Sequence, residues 1–154
     1  MNGITPVALP PRFYWDLMSP YDVADATHYQ QRIVPMDAMG KPRPRVTSRG
    51  TYHTDRYTRW RAEFEHHFGP MTVGPPWALR VVIVRRMPKS WSKKKRAEMD
   101  GTPCETTPDA DNAAGAIMDV LFGQDNSVVF LEVIKLWGQK AYMDVEVWHV
   151  GAHH

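Results

Sequence analysis

Residues 128–150 read Val-Val-Phe-Leu-Glu-Val-Ile-Lys-Leu-Trp-Gly-Gln-Lys-Ala-Tyr-Met-Asp-Val-Glu-Val-Trp-His-Val, and this stretch decides the fold class. Residues 128–136, rich in Val, Ile and Leu, read as a strand, and Gly138 begins a turn. Residues 141–150 then alternate, with Met143, Val145 and Val147 on one face and Asp144, Glu146 and Trp148 on the other. Neighbouring strands joined by so short a turn favour an α+β, mixed-sheet domain over a doubly wound parallel one, in which each parallel neighbour needs a long crossover.

Upstream, Ala113, Ala114, Ile117, Val120 and Leu121 have helical spacing that stops at Gly123, which predicts a helix over 111–122. Residues 92–99 predict a short basic helix, and the Val- and Ile-rich 77–85 a strand. Tyr57, Trp60, Phe64 and Phe68 place a core-facing stripe on a helix capped by Thr54 or Asp55, a unit that Pro75 and Pro76 end. Pro42 and Pro44 exclude regular helix from the basic loop 40–50, because each removes a donor and biases its predecessor toward extended backbone. A short strand is expected over 32–36. Residues 1–30 form a proline-containing arm with scattered aromatics and no clear period, ahead of a domain over 31–150.

A chain of 154 residues can bury one substantial core, and its apolar runs are too short or too interrupted to span a bilayer. The N-terminus lacks the charged-then-apolar pattern of a secretory signal, so cytoplasm is the expected location and no membrane partner is expected. The single cysteine, Cys104, excludes an intramolecular disulfide framework and a cysteine-rich zinc site. His66 and His67 are adjacent on the predicted helix, point in different directions and lack a histidine at i+4, so they do not form a zinc pair.

Thr107-Pro108-Asp109-Ala110-Asp111-Asn112 puts two carboxylates two residues apart where a loop becomes a helix. Asp111 as a helix cap accounts for one of them, at a gain of about 1 kcal/mol. The second acid, together with a further acidic turn at Gln124-Asp125-Asn126, suggests oxygen ligands converging on a hard cation. Positive charge flanks the acids. Lys41, Arg43, Arg45 and Arg49 form one basic cluster with the nearby arginines 56, 59 and 61, and Lys89, Lys93, Lys94, Lys95 and Arg96 form another. Basic surface beside an acidic metal site suits a polyanionic, phosphate-bearing substrate.

Four segments in order carry a resemblance: Gly40-Lys41-Pro42-Arg43-Pro44-Arg45, the basic run from Met87 to Arg96, Pro108-Asp109-Ala110-Asp111-Asn112, and Asp125-Asn126-Ser127. Over roughly residues 31–148 the chain resembles the RusA family of Holliday junction resolvases. The resemblance implies a structure-specific endodeoxyribonuclease of DNA recombination and repair that uses Mg²⁺, with Mn²⁺ as an alternative, and cuts four-way junctions as a homodimer. It implies a metal and catalytic site of Asp109 and Asp111 with a residue of the later turn, Asp125 or Asn126, beside DNA-binding cations of both basic clusters.

Two positions depart from the family pattern. The usual lysine one helical turn after the second motif aspartate is Gly115, on a stripe that also holds Asp111 and Asp119. An expected acid of the later turn is Asn126, whose carbonyl ligates without charge, so that Asp125 serves if the turn shifts. These departures motivate an alternative expectation, a junction-binding protein with weak or lost cleavage. A third is an unrelated function on the same fold, including a protein-binding role for the arm.

Overall fold

The computed structural model describes residues 27–42, 45–47, 50–52, 55–123 and 126–150. In chain order these form β1 (Tyr29–Val34), β2 (Arg45–Thr47), β3 (Gly50–Tyr52), α1 (Asp55–Phe68), β4 (Trp77–Arg86), α2 (Lys93–Met99), α3 (Ala110–Phe122), β5 (Val128–Gly138) and β6 (Tyr142–His149). Four strands make one mixed sheet in the order β1-β6-β4-β5, and β2 and β3 pair separately. The fold is a single α+β domain, as the last two strands predict.

Strand β4 takes the centre because both of its sides are buried: Ala78 to Val84, all apolar except Arg80, are shielded from solvent. It runs parallel to β5 and antiparallel to β6. The short turn after Gly138 therefore joins two strands that flank β4 and do not pair with each other, which corrects the simple hairpin that a short turn suggests. The chain crosses closely over the end of β4. A Cβ built on Gly138 would lie 2.3 Å from Val84 Cγ1, so glycine is required at this crossing.

One sheet face carries Leu79, Val81 and Ile83 of β4 beside Val147, Val145 and Met143 of β6. Against it pack the predicted stripe of α1 (Tyr57, Trp60, Phe64, Phe68) and Ala113, Ala116 and Ile117 of α3. Each large side chain buried there contributes about 1.5–3 kcal/mol. The other face includes a buried charge cluster: Arg80 donates to Glu146 Oε1 at 2.7 Å and to Glu132 Oε1 at 3.1 Å, and Tyr29 Oη donates to Glu146 Oε2 at 3.0 Å. The alternation predicted for β6 is correct in direction, but Glu146 and Trp148 on its polar side are buried as well.

Two boundaries differ from expectation. The strand expected over 32–36 lies at Tyr29–Val34, where it pairs with β6 from Trp148 to Met143. Pro35 brings no N–H to extend the ladder, and the Met36 N–H closes back on the Val34 carbonyl at 2.9 Å. The described residues of the loop expected over 40–50 hold no helix and include the start of a small antiparallel pair, Arg45 facing Tyr52. The remaining elements fall where periodicity puts them. Ser92 caps α2 by accepting the Lys95 N–H at 3.1 Å. Gly123, at φ 67, ends α3 with its N–H on the Asp119 carbonyl at 3.3 Å.

Candidate metal and nucleic-acid site

The acidic turn is tethered by cations of the two parallel strands. Arg85, at the end of β4, donates to the Thr107 carbonyl and lies 2.9 Å from Asp37 Oδ1 through Nε. Lys135 of β5 donates to the Thr106 carbonyl. Two charge-assisted hydrogen bonds thus hold consecutive carbonyls immediately before Pro108, and the register of β4 with β5 sets where the acids begin.

Helix α3 starts at Ala110, so Asp109 and not Asp111 is its N-cap residue. Asp109 has extended backbone at φ −62, ψ 149 and its main-chain carbonyl accepts the Ala113 N–H at 2.9 Å. Its carboxylate makes no cap hydrogen bond. Asp111 occupies the first turn, so the capping role expected for it is corrected, and the Asp109 carboxylate at the cap position leaves about 1 kcal/mol of cap energy unused. Both side chains are exposed, and neither carboxylate has a hydrogen-bond or ion-pair partner among the described residues. The positive end of the α3 dipole offsets part of their mutual repulsion.

Paired oxygen anions with no competing cation are the donor chemistry of a hard divalent ion that keeps several waters, as Mg²⁺ does. Among the described residues no group of three or more His, Cys, Asp or Glu side chains could hold a metal. Asn126 is exposed in the turn before β5. Asp125, Arg43, Arg49 and the side chain of Arg45 lie outside the described residues.

The Gly40–Lys41 segment docks on the same helix end. The Lys41 N–H donates to the Asn112 carbonyl at 3.3 Å. A Cβ on Gly40 would meet Asn112 Nδ2 at 2.4 Å and Pro108 Cβ at 3.3 Å. Two motifs separated by more than sixty residues therefore touch, and the close approach explains the glycine.

Further along α3, Asp119 collects three partners. Tyr57 Oη donates to Oδ2 at 2.9 Å, Arg61 Nη1 lies 3.4 Å from Oδ2, and Lys41 Nζ lies 3.6 Å from Oδ1. Burial, reinforced by the hydrogen bond to Asp119, pushes the Tyr57 phenol well above the ordinary tyrosine range, so it remains a donor. Gly115, between Asp111 and Asp119 on the stripe, has open space where a side chain would stand: nothing lies within 4 Å of a Cβ there.

The second basic cluster divides into two kinds of cation. Lys89, Lys93, Lys94 and Lys95 are exposed, with Lys95 Nζ 4.4 Å from the centroid of the Trp91 ring. Arg96 instead directs Nη2 to the carbonyls of Pro88 and Lys89, at 3.3 and 2.8 Å, and so braces the turn that leads into α2. Trp91 packs edge-on against Trp137 with ring centroids 5.1 Å apart. Arg86, Lys93, Arg96 and Asp100 help line an open cleft of about 360 Å³, none of whose lining residues belongs to the acidic turn.

Sequence reasoning placed the two acids but missed Arg85, Lys135 and the partners of Asp119. A strand-terminal arginine carries no motif; only strand register brings it to Thr107. Comparison with known proteins adds a family match: the model of the family described as Endodeoxyribonuclease RusA matches residues 35–148. No curated protein matches the chain.

Proposed function

Given that this chain belongs to the RusA family of endodeoxyribonucleases, a divalent-metal-dependent family that binds and resolves Holliday junctions, we propose that it is a Mg²⁺-dependent resolvase of four-way DNA junctions. The observation that carries this reading is the pair of unpartnered carboxylates, Asp109 and Asp111, on a turn tethered by Arg85 and Lys135. Asp109 and Asp111 would hold the cation, with Asp125 or the Asn126 carbonyl completing the set. A divalent cation bound there supplies an activated water and neutralises charge developing on the scissile phosphate.

The rest of the chemistry is positioning. Arg85 and Lys135 fix the backbone before the acids, so that little reorganisation is needed when DNA arrives. Lys41 and the exposed lysines 89, 93, 94 and 95 bind backbone phosphates without reading bases. Arg43, Arg45 and Arg49 extend that surface in this reading, and Arg96 acts by bracing its turn. Exposed Val129 and Leu131 on edge strand β5 are apolar surface that a second copy would cover, consistent with a homodimer that places two cutting sites on one junction. No described helix is long and apolar enough to cross a membrane, consistent with action in the cytoplasm.

A second reading, junction binding with weak or lost cleavage, draws on the empty position at Gly115 and the uncharged Asn126. One assay separates the two. A labelled four-way junction is incubated with the protein in Mg²⁺, Mn²⁺ or chelator; symmetric incision that requires the cation supports the resolvase. Binding without incision supports the second reading, and absence of both rejects the function.

A further inference from the structure

We propose that Lys41 is a catalytic cation in this chain, its ammonium leaving Asp119 to contact the phosphate held at Asp109 and Asp111. The inference rests on the resolvase reading and adds a residue to it. The Lys41 backbone is hydrogen-bonded to Asn112, next to the two acids, whereas its Nζ reaches Asp119 two helical turns further along α3. The side chain therefore spans from the Asn112 end of α3 to Asp119, and the space over Gly115, with nothing within 4 Å of a Cβ there, is open beside it. Asp111 and Asp119 are two steps of about 5–6 Å apart on this face, and a lysine whose backbone is held at Asn112, between them and next to Asp111, can turn its side chain from one to the other.

The present hold on Lys41 is weak. Its contact with Asp119 is 3.6 Å long and its side chain is 41% exposed. Asp119 keeps Tyr57 and Arg61 when Lys41 departs, so no uncompensated half-buried carboxylate remains. The other described cations around α3 are held more firmly: Arg85 by Thr107 and Asp37, Lys135 by Thr106, and Arg61 by Asp119 and the face of Tyr57. In the reaction Lys41 donates hydrogen bonds to non-bridging phosphate oxygens. It stays protonated and forms no covalent bond, while water supplies the incoming oxygen and the departing oxygen ends protonated.

The test combines kinetics with a readout independent of cleavage. Lys41→Met keeps the stem and removes the charge; single-turnover cleavage at saturating protein should fall about 100-fold or more, as for loss of a preorganised donor. Junction affinity in chelator should change by less than about tenfold, the scale of one lost phosphate contact. Adding Gly115→Lys to Lys41→Met should restore most of the rate, whereas a lysine that only tethers its loop to Asp119 cannot be replaced from position 115. Undiminished cleavage by Lys41→Met, or a loss that Gly115→Lys does not repair and Asp119→Asn reproduces, overturns the proposal.

In parallel, acetylation of Lys41 is followed by mass spectrometry on the natural chain. Junction with Ca²⁺ should protect the amine more than junction with chelator, and Asp109→Asn should remove the difference. Absence of cation-dependent protection rejects the role of Lys41 whether or not the chain cleaves. Protection without cleavage in any divalent cation supports the contact and rejects the resolvase reading instead.

Discussion

Replacing Gly40 by alanine probes the contact between two distant motifs. The new Cβ would stand 2.4 Å from Asn112 Nδ2 and 3.3 Å from both Asn112 Cγ and Pro108 Cβ. The first distance is about 1 Å inside ordinary contact, and the other two need a few tenths of an ångström. Asn112 is exposed and its side-chain amide has no hydrogen-bond partner among the described residues, so it can rotate away. Pro108 is a rigid ring, so the residual overlap displaces the 40–41 segment or the acidic turn. The stability cost belongs at the low end of overpacking, about 1 kcal/mol, or about 2–4 °C in Tm for a domain of this size. The functional cost is larger, because a shift approaching 1 Å at a catalytic turn can cost about 100-fold in rate. Gly40→Ala should therefore lower cleavage at saturating protein at least about tenfold, with junction affinity changed only a few-fold. Asn112→Ala in the same chain should recover much of the rate by vacating the overlap. Calorimetry and single-turnover cleavage read the two effects separately. A rate that falls only in step with stability, or an Asn112→Ala change that restores nothing, refutes the argument.

Asp109→Asn and Asp111→Asn should each remove most cleavage while junction binding persists or tightens, since a negative charge beside DNA is lost; unchanged cleavage in both rejects the metal site. Lys93, Lys94 and Lys95 changed together to alanine should flatten the salt dependence of junction binding by up to about 2.7 in log–log slope, and an unaltered slope makes them solvated bystanders. Arg80→Met leaves Glu132 and Glu146 without their buried cation and should cost about 3–5 kcal/mol, measured by denaturant unfolding; a near-neutral result means the ion pairs do not hold the sheet together. The folded-state pKa of Tyr57 is raised above its ordinary value of 10.0, so its contribution is complete below about pH 10 and is lost as pH rises through the folded value. Tyr57→Phe should consequently lose about 1.5–3 kcal/mol at neutral pH and show a shallower alkaline loss than the natural chain.

Much of this protein is legible in its chain. Periodicity was enough for the α1 stripe, because Tyr57, Trp60, Phe64 and Phe68 can share a face only on a helix, and for β6, because Met143, Val145 and Val147 can share one only on a strand. The acids at 109 and 111 were legible for a related reason: residue type, spacing and a loop-to-helix boundary are local properties. Pairing is not local. Nothing within residues 128–150 reveals that β4 inserts between β5 and β6, since that depends on β4 being suited to burial on both faces and on Gly138 letting the chain cross Val84. Nor does the local pattern reveal that the Asp109 carboxylate makes no cap hydrogen bond, that Arg85 reaches Thr107, or that Lys41 begins beside Asn112 and ends at Asp119. Side-chain chemistry is written residue by residue, but the neighbours on which it acts are chosen by strand register and helix docking, which minimise exposed apolar surface over the whole domain at once.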